Sequence, residues 1–372
     1  MTSSFPRCLA CAAAAALAAC GGSGDPATAT EERKILHVYN WTDYIGDTTI
    51  ADFEARTGIK VSYDTYDSNE ILETKMLTGR SGYDIVVPSA TPAERQIKAG
   101  VYRKLDKTKL PNLSNMDPEI MRRIAVNDPG NAHAINYMWG TVGIGYNRAL
   151  VRKALGTDRI DSWAALFDPA VASKLAKCGI AFLNAPEDVF MAARIYLGRD
   201  VNSEKTEDLE AATEMLMKVR PHVRYFSSSQ YVNDLASGDI CIALGWNGLV
   251  LQARDRGAAA AKPVEIAYAL PKEGSYIWFD MLAIPADAPH PDNAHAFLNF
   301  LMEPAVIAKI SDQIGYANGN AASLPFLDEG LRNDPAVYPP KETRDALFPD
   351  IGESPEYMRA VNRAFTRVKS GQ

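Results

Sequence analysis

Apolar runs of strand length alternate with stretches of helical period along residues 35–100. Residues 35–39 are a short apolar run that predicts a strand. Asp47 can cap a helix over residues 48–57, with Ile50 and Phe53 on one face and Gly58 ending it. Residues 59–66 alternate apolar and polar like a half-buried strand, and Asp67 with Glu70 can open a helix through Leu77. Residues 83–87 predict a buried strand, and Thr91-Pro92-Ala93-Glu94 opens a helix that Gly100 closes. Successive strand–helix units predict a mostly parallel sheet with helices on both faces.

The carboxyl ends of such strands share one edge, where open α/β sheets bind ligands. Trp41-Thr42-Asp43-Tyr44 follows the first strand and Pro88-Ser89 the third. A carboxylate between large aromatics suits an organic cation, by charge pairing and cation–π attraction. The same residues also fit a plainer role, with Trp41 and Tyr44 as core and Asp43 as a turn residue. Ser89 can contact a ligand or cap the next helix.

Further along, residues 134–146 read as one extended run, and a second α/β set begins. It holds strands at 179–183, 224–226 and 239–246, with helices at 187–197 and 209–219. Asp188 and Trp246 both sit just beyond or at the ends of these strands. Residues 264–270 return extended, and Trp278-Phe279-Asp280 repeats the pairing of aromatic and carboxylate. Helices at 292–302 and 304–311 lead to a Gly315-Tyr316 turn. A last helix at 354–369 carries an apolar stripe of Tyr357, Val361, Ala364, Phe365 and Val368.

Length and composition narrow the class. The chain has 372 residues, 47% hydrophobic and 23% charged, room for two ordinary globular domains. A net charge of −7, with no basic block, argues against a nucleic-acid partner. Residues 1–19 have the form of a secretory signal, and Leu17-Ala18-Ala19-Cys20 resembles a lipoprotein processing site, which makes Cys20 the expected lipid acceptor. Residues 20–33 read as a small-residue tether. Cys178 and Cys241 remain as an even pair in an exported chain and read as one disulfide, the alternative being two buried thiols. The Gly143-Ile144-Gly145 stretch lacks the third glycine of a dinucleotide loop. No serine-hydrolase elbow, phosphate loop or zinc-protease motif occurs, and neither a metal nor a cofactor is expected.

Several segments together carry a more specific signal. Tyr39-Asn40-Trp41-Thr42-Asp43-Tyr44, Val87-Pro88-Ser89, Gly245-Trp246-Asn247-Gly248, Trp278-Phe279-Asp280 and Ile310-Ser311-Asp312 through Tyr316 resemble the periplasmic polyamine-binding proteins of ABC transporters. Arg224-Tyr225-Phe226, Gln230-Tyr231 and Val368-Lys369-Ser370-Gly371 do the same, so the resemblance covers residues 34–371 and is greatest to the putrescine-binding branch. It implies the two-lobed α/β solute-binding fold, with hinge crossings near 137–140 and 267–270. Lobe 1 would hold residues 34–138 and 271–325, lobe 2 residues 139–270, and residues 326–372 would pack on the lobes as an extension.

It also implies a binding set. Trp41, Tyr44, Trp246, Trp278 and Tyr316 would box the methylene chain, Asp43 and Asp280 would pair with one ammonium, and Thr42 and Ser89 would add hydrogen bonds. Asp188 stands where the putrescine branch has Glu. Leu249 stands where that branch has Asp and the spermidine branch Ser, so a polar contact to the far end of the ligand is missing. Trp278 and Thr42 look like the spermidine branch, Ala185 and Asp43 like the putrescine branch. The implied partner is an inner-membrane ABC permease, and the chain is expected to be a monomer that touches the membrane only through its lipid. The alternatives are a polyamine sensor signalling to a receptor and an exported hydrolase using Asp43 and Asp280 as acid and base.

Overall fold

The computed structural model describes residues 33–349 and 351–372. The expected signal segment and the lipid-acceptor Cys20 lie outside these residues. The first predicted strand becomes β1 (Ile35–Trp41), which pairs in parallel with β2 (Lys60–Tyr66) and β3 (Ile85–Val86). Its alternation serves two cores. Leu36 and Val38 enter one apolar cluster and Tyr39 another, on opposite faces of the sheet.

Local capping differs from the sequence expectation in ways the side chains explain. Ser68 rather than Asp67 caps the helix Asn69–Leu77, its hydroxyl accepting from the Ile71 amide. Asp47 does not cap the helix Thr49–Thr57, whose cap position is Thr48, while Gly58 ends it at φ 71°. Ser89 occupies the cap position of the helix Ala90–Lys98 without bonding to it, because its hydroxyl is engaged elsewhere.

The expected run at 134–146 is β4 (Ala134–Asn147), buried along its whole length. The second α/β set supplies β5 (Ile180–Phe182), β6 (Tyr225–Phe226), β7 (Ile242–Trp246) and β8 (Ile266–Ala269). The chain then returns as β9 (Tyr276–Ala283). From Ala134 to Thr141, β4 pairs antiparallel with β9; from Val142 to Asn147 it pairs antiparallel with β7 and β8. One strand therefore serves two sheets. The first has the order β2-β1-β3-β9-β4 and the second β4-β7-β5-β6. Each holds a parallel group, as expected, and becomes mixed where the crossing strands join it.

The fold is thus the two-lobed α/β architecture. Within the second lobe, β5 and β7 are parallel neighbours, and Cys178 and Cys241 just before them form a disulfide with Cα atoms 5.4 Å apart. The last helix, Pro355–Ser370, buries Tyr357, Val361, Phe365 and Val368 on the second lobe's core, with Ala364 partly buried beside them. Buried Arg194 donates to Glu353 at 2.8 Å and to the Tyr357 hydroxyl at 3.0 Å, fastening that helix's approach.

Candidate functional site

Asp280 lies in the middle of β9, where alternation turns Tyr276, Trp278 and Asp280 to one face. Antiparallel pairing of β9 with β3 brings it opposite Ser89, just beyond the end of β3. The Ser89 hydroxyl donates to its Oδ1 at 2.7 Å and the Tyr44 hydroxyl to its Oδ2 at 2.8 Å. Asn69 supports the arrangement, its amide donating to Ser89 Oγ at 3.1 Å. Asp280 is only 6% exposed. Burial pushes its carboxyl up to about 6 from an ordinary 3.8, against the two hydroxyls, which favour the ionised form. The same burial, reinforced by the neighbouring Asp280 charge, raises the Tyr44 phenol well above its usual range and keeps it a donor.

Aromatic rings wall this carboxylate. Trp41 ends β1 with its indole N–H donating to the Val87 carbonyl at 2.8 Å, which fixes the ring plane. Tyr316 meets Tyr44 and Trp278 edge-on, at centroid distances of 5.5 and 5.3 Å. Two glycines make room for these rings. A Cβ at Gly140 would collide with the Trp278 ring, and one at Gly248 with the Tyr316 ring.

The opposite wall comes from the second lobe. Trp246 ends β7, and its indole N–H donates to Asp188 at 3.3 Å. The Tyr276 hydroxyl also donates to Asp188. Asp188 stands in the first turn of the helix Pro186–Tyr196, where the dipole favours a carboxylate. Leu249, in the first turn of the helix Asn247–Ala259, adds an apolar surface.

These walls enclose a cavity of about 140 Å³. All the residues expected from the sequence line it except Thr42. Thr42 is exposed, and its hydroxyl lies 3.4 Å from the Tyr66 carbonyl. Asp43 takes φ 55°, a turn conformation that Asp tolerates better than most residues, and reaches the rim. Sequence reasoning missed Asn69, Pro92, Glu187, Met191 and Tyr276, which also line the cavity. Period carried signals for three of them. Tyr276 is two residues before Trp278 on a strand, Met191 is three after Asp188 on a helix, and Pro92 is three after Ser89. No such signal marked Asn69.

Asp43, Glu187, Asp188 and Asp280 line the cavity, and no Lys, Arg or His does so among the described residues. Nor do those residues contain a group of His, Cys, Asp and Glu that could hold a metal ion. The arrangement can hold an elongated organic cation, with carboxylates for its charges and rings for its carbon chain.

Comparison with known proteins agrees with this chemistry. The model of the bacterial extracellular solute-binding proteins matches residues 48–339. The putrescine-binding periplasmic protein PotF of Escherichia coli (strain K12) is 49% identical over 347 residues, which are 93% of this chain and 94% of that protein. The putrescine-binding periplasmic protein SpuD of Pseudomonas aeruginosa (strain UCBPP-PA14) is also 49% identical, over 92% of this chain and 93% of its own. Among solved structures, the spermidine/putrescine ABC transporter substrate-binding protein PotD of Streptococcus pneumoniae superposes with a TM-score of 0.76 at 28% identity, covering 91% of this chain and 99% of that one. The two-lobed fold, the cleft chemistry and these near end-to-end matches lead to one conclusion: the chain belongs to the bacterial extracellular solute-binding protein family.

Proposed function

We propose that the protein captures a polyamine, putrescine or spermidine, between its lobes and delivers it to an ABC permease for import. One observation carries the reading. Asp280 is a buried carboxylate that accepts from two neutral hydroxyls, and among the described residues no lysine, arginine or histidine pairs with it. A buried charge without a counter-charge is costly, and an ammonium brought in by the ligand supplies one. The relatives support both halves of the proposal: PotF and SpuD are named for binding putrescine, and PotD as the substrate-binding part of an ABC transporter. None of these relatives carries an enzyme's name, and PotD's favours a transport role over sensing.

In this reading Asp43 and Asp280 meet one ammonium and Asp188 faces the other end, with Trp41, Tyr44, Trp246, Trp278 and Tyr316 around the methylenes. The lobes close about the two crossings near 137–140 and 267–270, the first just before the point where β4 changes sheets between Thr141 and Val142. The protein works outside the cytoplasm as a monomer, and lipid on Cys20 holds it at the membrane. Calorimetric titration with diamines, polyamines and amino acids tests the ligand class: tight binding of amino acids and none of polyamines would overturn it. The anchor has its own test. Cys20→Ser should abolish acylation and release the protein from the membrane fraction, whereas an unchanged distribution would remove the lipid from the account.

A further inference from the structure

We propose that Glu187 reads the length of the bound amine, favouring a triamine over a diamine. The inference rests on the polyamine reading above. The two lobes contribute carboxylates to the cavity unequally in kind. On the first lobe, Asp280 is deeply buried and bonded to two hydroxyls. On the second, Asp188 receives the Trp246 indole N–H and the Tyr276 hydroxyl, while Leu249 presents only carbon. Glu187 is the other carboxylate of that wall, half-buried, next to Asp188 in the first turn of the helix Pro186–Tyr196.

The position of Glu187 differs from that of Asp188. Glu187 and Asn69 line the ligand cavity and also a neighbouring cavity of about 410 Å³, so they stand at the boundary between the two. Asp188 lines only the first. The neighbouring space is acidic too, and its arginine, Arg95, lies 3.3 Å from Glu73. An amine that ends at Asp188 stays within the first cavity. One with a further aminopropyl arm carries its last ammonium toward the junction, where Glu187 supplies the charge. Glu187 therefore acts on the third ammonium and little on the first two.

The test is calorimetric titration of putrescine and spermidine into the wild type and Glu187→Gln, with thermal melts to confirm folding. Substitution at a half-buried pair should weaken spermidine by roughly tenfold and putrescine by less than about threefold. Equal weakening of both amines, or no change for spermidine, would overturn the length-reading role while leaving polyamine binding intact. Failure of the wild type to bind either amine would instead overturn the reading beneath it. As a second variant, Glu187→Asp keeps the charge on a shorter arm, and it should retain more spermidine affinity than Glu187→Gln.

Discussion

Asp280 concentrates the energetics of the site in one side chain. Asp280→Asn removes the charge that an ammonium would meet, and truncating a desolvated charge pair costs about 2–5 kcal/mol of binding. Titration should show that loss, and unchanged affinity would exclude Asp280 from the contact. The unliganded protein should respond in the opposite sense. Because folding raises this carboxyl from 3.8 to about 6, the folded form takes up a proton more readily than the unfolded chain between those values. The group's contribution to stability is thus fully present below pH 4 and lost as pH rises through 6, a change of about 3 kcal/mol at most. At pH 7 unliganded Asp280→Asn should melt no lower than the wild type, and a lower melting point would count against this assignment. Binding carries the complementary pH dependence. Only the ionised carboxylate pairs with an ammonium, so affinity should fall about tenfold between pH 7 and pH 5. The Asn variant should lack that slope.

At the scale of elements, the site's legibility followed periodicity and failed where the chain's path decides. β9 turns Tyr276, Trp278 and Asp280 to the cavity by simple alternation, and the ends of β1 and β7 deliver Trp41 and Trp246 where strand order predicts. Asn69 could not be found this way, because only the packing of its helix beside Ser89 brings it in. Thr42 was misplaced for a related reason: the turn after β1 aims its hydroxyl at the Tyr66 carbonyl. The mixed character of the sheets was also hidden, since strand direction depends on crossings that an apolar run does not encode. Leu249, at the start of its helix, carries a prediction at this scale. Spermidine should bind the wild type at least as well as putrescine, and Leu249→Asp should shift preference toward putrescine by adding a carboxylate to the wall of the ligand cavity. Parallel titrations of both amines decide it, and a clear putrescine preference in the wild type would contradict it. The disulfide ties the approaches to β5 and β7 across 63 residues of sequence, a loop worth about 4 kcal/mol of chain entropy. Replacing both cysteines with serine should lower stability by up to that amount, as measured by denaturant unfolding, and no loss would show that the crosslink constrains little.

For the whole molecule, the two lobes share the walls of the cavity. Asp280 and its hydroxyl partners come from one lobe, and Asp188 with Trp246 from the other, so neither lobe alone supplies both carboxylates. The two-lobed plan was readable from the strand and helix pattern and from the family likeness along the chain, because both reside in local sequence. The shared strand is a different matter, since nothing in an unbroken apolar run marks where it leaves one sheet and joins the next. That strand has a consequence for anyone who would express a lobe alone. Cutting between Thr141 and Val142 would leave the first half of β4 and its partner β9 on different fragments, so the first sheet would lose backbone pairing and expose hydrogen-bonding edges that are buried in the intact chain, while the second sheet would keep its own. Each half would expose an unfinished edge that invites pairing with other copies of itself, so the protein is divisible in shape but not in manufacture.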